Sequence, residues 1–378
     1  MAMILNDDQL MLQDSAREFI KSEGPVSQLR ALRDDAKAPG FSRDLWKQFG
    51  EMGFTGVLIP EADGGLGLGH IEAGIVMEQI GRNLTASPFL TTSIAAVEAL
   101  KHADKALRDK HYAGVLSGDS VIALAIDESA KHRPQNIECR AERSGNGFKL
   151  SGAKQFVVQG ACADMLIVAA RTAGSGGEEA GLTLFAVEPD ISGLDRDPLR
   201  MVDGQIAARV AFDGVEVTAD AVIGEVDGGW DVLSRMLNAG RAGAAAEMVG
   251  VGSGAMDMTF DYLKQRKQFG KLIGEFQALQ HRASHIYGEM ELARSVVLKA
   301  QNYLDDGNER AELYTAVAKA KAGQACNLSV REGLQMHAGI GMTDEYDIGL
   351  YMKRDRALNE FFGDASFHAD RVAKMRGY

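Results

Sequence analysis

Apolar and polar positions along this chain follow three rhythms in succession. Near the start, Asn6 and Gln9 have the spacing of a helix-capping box, and Leu10, Asp14, Arg17 and Phe19 continue into helical spacing. Helical patterning recurs over Ser42–Met52, His70–Arg82, Thr91–His102 and Lys105–Leu116, so residues 1–118 read as an all-helical domain. Near Gly118 the rhythm shortens. Val121–Ile126, Ile137–Glu142, Phe148–Val158, Met165–Ala170, Leu182–Val187 and Ala207–Phe212 are short, apolar or alternating, and bounded by Gly, Asp, Asn and Pro. This is strand and turn chemistry. Gly145-Asn146-Gly147 predicts a hairpin turn and Gly174–Gly177 a surface loop. Helices do not alternate with these strands, which predicts an antiparallel middle domain, barrel or sandwich, over 119–226.

The helical period returns after Trp230. Phe276, Leu279, Ala283, Ile286, Met290, Ala293, Val297, Ala300 and Leu304 recur at steps of three and four, one apolar stripe on a helix of about 30 residues. Such a stripe calls for bundle partners, which 231–265, 309–337 and 346–374 can supply. Residues 227–378 therefore read as a C-terminal helical bundle.

Composition narrows the class. A chain of 378 residues exceeds one compact core and fits two or three domains. Its 46% hydrophobic and 25% charged residues exclude whole-chain disorder. A net charge of −12 argues against a nucleic-acid binder, while leaving room for an anionic ligand where Arg and Lys cluster. Cys139, Cys162 and Cys326 are scattered, odd in number and form no CxxC, which suits a reducing compartment and predicts neither a disulfide framework nor a cysteine zinc site. The opening residues lack a signal peptide's cationic start and long apolar core, and no uncharged apolar run approaches the roughly 18 residues that span a bilayer. The expectation is a cytoplasmic protein with no metal, membrane or nucleic-acid partner.

Gly64-Gly-Leu-Gly-Leu-Gly69 follows an apolar run and precedes a helix, which mimics a dinucleotide-binding turn. Counted from Gly65, however, His70 stands where the third glycine belongs, and Glu61 and Asp63 would oppose a pyrophosphate; a connecting loop is the better reading. His281 and His285 are four apart on the long helix, but no third metal ligand accompanies them. Arg266-Lys-Gln-Phe-Gly270 can be explained as a helix end, with cations in the last turn and glycine at C′. A ligand reading gains weight from Phe276-Gln277 nearby and from a second glycine-broken helix end, Gln335–Gly341. There Arg266 offers a fixed cation for a pyrophosphate, Phe269 a face for an adenine, and Gln277 and Gln335 neutral donors. Bare backbone at Gly339 and Gly341 admits a bulky nucleotide.

Those blocks resemble the acyl-CoA dehydrogenase family. Gly53–Glu61 with Gly64–Gly67, Glu78–Arg82, Gly152-Ala-Lys154, Arg266 with Phe276-Gln277, and Gln335–Gly341 appear in family order and spacing over essentially the whole chain. The resemblance implies an N-terminal helical domain, an antiparallel β-barrel and a C-terminal four-helix bundle. It implies a tetramer in which FAD lies between one subunit's barrel and a neighbour's bundle. The implied activity is α,β-dehydrogenation of an acyl-CoA, with a carboxylate taking the α-proton and an electron-transfer flavoprotein receiving the electrons. By position, Arg266, Gln268, Phe269, Gln277, Gln335 and Gly339 would hold the adenosine-diphosphate half of a neighbour's FAD. Phe156-Val-Val158 would pack on the flavin ring, and Arg241 would stand beside the base.

The same resemblance exposes departures. The two places where the family keeps its catalytic glutamate are Phe362 and Gly240, neither of which accepts a proton. Asp127-Glu-Ser-Ala-Lys-His-Arg-Pro134 replaces an expected flavin- and phosphate-contacting turn. Val158 stands for a threonine and Phe156 for a tryptophan, so the flavin half looks eroded while the adenine half looks intact. General-base catalysis is worth about 10²–10⁴-fold, or about 2.7–5.4 kcal/mol of barrier. Three explanations follow. The chain is one subunit type of a heteromeric enzyme whose partner brings the glutamate, like the small subunits of pimeloyl-CoA or steroid side-chain acyl-CoA dehydrogenases. Or it is a self-sufficient enzyme with a relocated base at Asp364 or Glu247, with Glu360 a weaker candidate. Or it is a non-catalytic acyl-CoA or FAD-site scaffold.

Overall fold

The computed structural model describes residues 4–378. Helices α1 (Asp7–Glu23), α2 (Val26–Asp34), α3 (Arg43–Glu51), α4 (His70–Arg82), α5 (Val97–Leu100) and α6 (Lys105–Leu116) come first. Strands β1 (Ile122–Ala125), β2 (Arg140–Ser144), β3 (Gly147–Val158), β4 (Met165–Arg171), β5 (Leu182–Val187), β6 (Leu194–Arg200), β7 (Ile206–Thr218) and β8 (Val222–Ile223) follow. Helix α7 (Gly229–Gln265), the ribbon β9 (Lys267–Gln268) and β10 (Lys271–Leu272), and helices α8 (Gln277–Asp305), α9 (Ala311–His337), α10 (Ile348–Glu360) and α11 (Ala365–Met375) complete the chain. The architecture is mainly helical with a central sheet, as the sequence predicts. Two compact units result. One gathers the stretch up to Arg30, His70–Thr85 and Arg241–Tyr378; the other gathers Ala31–Gly69 and Ala86–Gly240.

In the first unit α9 packs on α8, α10 and α11, and α4 packs on α1 and α8. The α8 stripe is buried from Ile286 through Met290, Ala293 and Val297 to Ala300, while His281 and His285 are exposed. The capping box at α1 forms as expected: Gln9 N donates to Asn6 Oδ1 at 2.8 Å and Asn6 N to Gln9 Oε1 at 3.0 Å. At the start of α4, His70 N and Ile71 N donate to the two carboxylate oxygens of Asp305 at 2.6 and 3.3 Å. That carboxylate takes the helix end that a dinucleotide-binding turn would offer to a phosphate. Helices α4 and α7 cross almost backbone to backbone. A Cβ on Gly81 would lie 2.2 Å from the Glu247 carbonyl oxygen, and one on Gly250 2.0 Å from that of Glu78.

In the second unit the strand order is β6-β7-β3-β2-β4-β5-β8, with β1 beside β4. The β2–β3 hairpin turns at Gly145-Asn146, as predicted. Most pairings are antiparallel, but β4 runs parallel to both β1 and β2, because the long connection from Asp127 to Cys139 brings the chain into β2 in the same direction as β1. One strand, β6, is not predicted by the sequence, and two local expectations are corrected. Strand β6 has no apolar alternation and contains Pro198, which is tolerated because β6 is the sheet edge. The strand expected over Ile137–Glu142 begins only at Arg140. The helix expected over Thr91–His102 opens as a π-helical stretch, Leu90–Ala96, before α5. There Thr91 Oγ1 donates to Gln159 Oε1 at 3.0 Å, and Thr92 Oγ1 accepts from Ile122 N at 2.9 Å.

The crossing of α4 and α7 gives a stability prediction. Gly250→Ala should cost about 1–3 kcal/mol, read as a lowered urea midpoint at unchanged slope. Gly288→Ala, on the exposed side of α8 where an added Cβ meets nothing within 4 Å, should instead stabilise by about 0.5–1 kcal/mol.

Candidate functional site

The segment after α7 reverses as a hairpin, so Gly270 is not the helix C′ residue that the sequence suggests. Phe269 and Gly270 adopt φ of 53° and 79°, two successive left-handed residues in a two-residue turn closed by the Lys271–Gln268 pair. This is type I′ geometry, matched to the twist of the ribbon. Phe269 is 91% exposed and meets Phe276 edge to face at 6.2 Å, with Lys271 Nζ 4.2 Å from the Phe276 ring centroid. Arg266, Gln268 and Gln277 are exposed around it. The result is a projecting aromatic tip ringed by cations and amides.

At the end of α9, Ala338 turns left-handed (φ 54°) and a short 3-10 stretch, Ala338–Met342, follows. Gln335 and Gly339 line a cavity of about 720 Å³ together with Arg282, Arg331, Glu332, Met342 and Met352, and Arg282 Nη1 donates to Glu332 Oε2 at 2.8 Å. A Cβ on Gly339 would meet nothing within 4 Å. His337 faces away from this rim, buried against Tyr262 and Tyr346 with ring centroids 4.5 and 4.7 Å apart. The cavity therefore unites Gln335 with Gly339, whereas Arg266, Gln268 and Phe269 sit on the hairpin and Gln277 opens α8.

The turn between α10 and α11 carries Phe362, which is 2% exposed and left-handed at φ 58°. Its ring stacks on Phe361 at 4.0 Å. Its carbonyl accepts from Arg241 Nε at 3.4 Å and from His368 Nε2 at 3.0 Å. Arg241 is itself buried, its guanidinium 5.8 Å from the Phe367 ring. Gly240, the other expected base position, lies one residue earlier in α7. The carboxylates proposed as relocated bases have structural employment. Asp364 is the N-cap of α11, accepting from Phe367 N at 2.8 Å. Glu247 is buried and takes Arg354 Nε and Nη2 on one oxygen at 2.7 and 2.6 Å. Glu360 pairs with Arg356 at 2.9 Å.

Sequence reading passed over a buried polar seam behind this turn. Lys319 Nζ donates to Leu358 O at 2.9 Å and Gly363 O at 3.0 Å. Asp355 accepts from Asn359 Nδ2 at 2.7 Å and Asn327 Nδ2 at 3.0 Å. Burial pushes its carboxyl above the ordinary aspartate range, against the pull of those hydrogen bonds. A signal did exist: Lys319 falls on the same face as Thr315, Ala316, Ala322, Gly323 and Cys326, where a charge has no place unless it is bonded.

In the second unit Phe156 sits at a bulge of β3, left-handed at φ 51° and 52% exposed, and Val158 is 9% exposed. Asp127 is not a bare charge. Its carboxylate bonds His132 Nδ1 at 2.8 Å and Arg133 N at 3.2 Å. Glu128 is likewise engaged, by Glu138 N at 2.8 Å, Cys139 N at 3.0 Å and the buried Lys154 Nζ at 2.7 Å. The loop from Asp127 to Cys139 is folded around its own carboxylates.

A cavity of this volume with a bare glycine and arginines at its rim suits a nucleotide-bearing cofactor, and comparison with known proteins takes that class to a family. The family model described as "Acyl-CoA dehydrogenase, N-terminal domain" matches residues 6–119, and "Acyl-CoA dehydrogenase, C-terminal domain" matches residues 227–376. Cyclohex-1-ene-1-carbonyl-CoA dehydrogenase of Geobacter metallireducens is 29% identical, over 95% of this chain and 94% of its own. The caffeyl-CoA reductase-Etf complex subunit CarC of Acetobacterium woodii is 27% identical over 99% of both chains. The solved structure of a variant of the Tcur3481-Tcur3483 steroid ACAD superimposes with a TM-score of 0.88 at 28% identity, covering 98% of each chain. The chain belongs to the acyl-CoA dehydrogenase family, FAD flavoproteins that act as oxidoreductases on acyl-CoA.

Removing one partner of the buried Glu247–Arg354 pair leaves an uncompensated charge. Arg354→Met should lower stability by about 3–5 kcal/mol, and the double change with Glu247→Leu should recover much of that loss in the same thermal or urea measurement.

Proposed function

We propose that this chain is one subunit type of a heteromeric FAD-dependent acyl-CoA dehydrogenase, whose homologous partner supplies the catalytic glutamate. The observation that carries this reading is the Phe362 turn. A buried aromatic ring occupies the base position on a backbone held by Arg241 and His368, and the carboxylates Glu247 and Asp364 are committed to an ion pair and a helix cap. The similarity to a steroid ACAD designated by two chain names supports a two-component enzyme. The functional parts would follow the division 1–118, 119–226 and 227–378, with the helices of 1–118 shared between the two compact units.

The two halves of FAD meet different fits. The Gln335–Gly339 cavity, with bare backbone at Gly339 and the Arg331 guanidinium, suits the adenosine-diphosphate half, and Arg282 would have to exchange its Glu332 partner for a phosphate to join it. Arg266, Gln268, Phe269 and Gln277 would complete that hold on a cofactor whose flavin belongs to the partner. The Asp127–Cys139 loop does not fit the flavin half. Its polar groups are bonded to one another, and position 158 carries no hydroxyl. FAD, when bound, would supply the acceptor for the hydride that leaves the acyl β-carbon. This chain's own contribution is then to bind the nucleotide, to fix the Phe362 turn and to keep water from it.

Acyl-CoA is the substrate class, in fatty-acid or steroid side-chain β-oxidation. Small residues at Gly240, Gly243, Ala244 and Ala245, all buried, are the sequence's one hint of a bulky acyl group. An electron-transfer flavoprotein is the acceptor, in keeping with the resemblance to a subunit of an Etf complex. The assembly is a heterotetramer, and its compartment is the cytoplasm. Among the described residues no helix is long and apolar enough to cross a membrane.

The deciding experiment is flavin content and acyl-CoA bleaching of the chain purified alone and co-expressed with a glutamate-bearing homologue. The expected result is a nearly colourless protein alone and a yellow, active complex with the partner. Stoichiometric flavin and turnover by the chain alone, abolished by Asp364→Asn or Glu247→Gln, would establish the self-sufficient enzyme instead. Absence of bleaching in every pairing would leave a scaffold.

A further inference from the structure

Lys319 has no part in that chemistry, yet its surroundings single it out. It is buried among the small residues of α9, and both of its hydrogen bonds go to backbone carbonyls, Leu358 O at 2.9 Å and Gly363 O at 3.0 Å. Those carbonyls bracket Phe362, whose own carbonyl takes Arg241 Nε and His368 Nε2. Three basic side chains, from α7, α9 and α11, thus converge on the backbone of one turn. That turn holds Phe362 and Gly363 at φ of 58° and 99°. A non-glycine residue in the left-handed region persists only where its surroundings over-determine it. A Cβ on Gly363 would lie 2.4 Å from the Phe367 ring, so the turn has little room to relax by moving toward α11.

We propose that Lys319 is the positioning residue of the Phe362 turn, a clamp that ties the end of α10 to Gly363 and fixes the backbone presenting residue 362. The inference stands whether the chain works alone or with a partner. The groups facing Lys319 are Arg241 on α7, Asp355 and Glu360 on α10, and Asp364 in the turn, with His368 of α11 on the neighbouring carbonyl. Burial first, and then the Arg241 charge, lower the Lys319 ammonium to about 7; Asp355, Asp364 and Glu360 oppose them. Above that value the amine still donates to both carbonyls, but without the charge that makes such bonds strong.

Two readouts must then move in opposite directions. The folded-state value lies below that of the unfolded chain, so burying the ammonium costs stability at low pH. The cost is relieved as pH rises from about 7 toward the ordinary lysine value of 10.5. Over the same range the turn loses its charged clamp. Global stability relative to a lysine-free variant should rise while local order at residues 361–364 falls. A merely structural lysine would not separate the two.

The test uses the full chain with 4-fluorophenylalanine at position 362, read by fluorine NMR from pH 6 to 9. It is paired with amide exchange of residues 361–364 corrected for intrinsic rates. In the wild type the fluorine signal should titrate near neutrality, and the turn should exchange faster above it. Lys319→Met should abolish the titration and speed exchange at pH 6 by about tenfold or more, the loss expected for hydrogen bonds from a charged donor. Lys319→Arg should restore protection without titrating, and His368→Gln should leave the midpoint in place. An unchanged titration or unchanged exchange in Lys319→Met, or a midpoint that vanishes with His368→Gln, overturns the proposal. Should Lys319→Met fail to fold, the wild type decides: a fluorine signal that does not titrate between pH 6 and 9 overturns it.

Discussion

The first unit depends on two helices that touch through bare backbone. Gly81 and Gly250 let α4 and α7 approach until each would have a Cβ inside the other's carbonyl. Helix axes usually stand 8–10 Å apart according to the side chains between them, and small residues bring them to the low end. The course of α7 is set by that contact, and α7 carries Arg241 and Glu247. The carbonyl that Gly81 meets belongs to Glu247 itself. The same crossing therefore fixes the residue that pairs with Arg354 and, six residues earlier, the one that reaches Phe362.

Carboxylates in this molecule are consumed by architecture. Asp305 caps α4, Asp364 caps α11, Glu247 neutralises Arg354, and Asp127 and Glu128 organise a loop. A base must accept a proton from substrate, so a carboxylate already serving as a helix cap or ion-pair partner would have to give up that role first. Meanwhile the cations gather on backbone oxygens. Lys319 and Arg241 spend their donors on carbonyls of a single turn, as Lys154 does in part on Ile126 O at 3.0 Å. The backbone near Phe362 is organised by cations where an enzyme of this family would be expected to manage an anion.

Much of this was legible in the sequence because it rests on local chemistry. The α1 capping box, the α8 stripe and the Gly145-Asn146 hairpin follow from spacing and turn residues alone. What was not legible depended on distant partners. β6 is a strand because β7 offers it a ladder, not because Leu194–Arg200 alternates. The Phe269-Gly270 turn looked like a helix end because a cation-rich helix terminus and a type I′ hairpin share the same letters. That Phe362 and Gly240 carry no carboxylate was plain in the sequence. That Glu247 and Asp364 were already engaged was not, since Arg354 lies 107 residues from Glu247.

The Asp305 cap has a bearing on how the chain is made. Helix α4 emerges early from the ribosome, but the carboxylate that satisfies its first amides follows 235 residues later. The first unit is drawn from three separated stretches of chain, the last of them running to the C-terminus. Helix α4 must wait, with its first amides uncapped and its α8-facing side uncovered, until α8 has been synthesised. During that interval α4 is open to chaperone capture, and a truncation before Asp305 would leave it in that condition permanently.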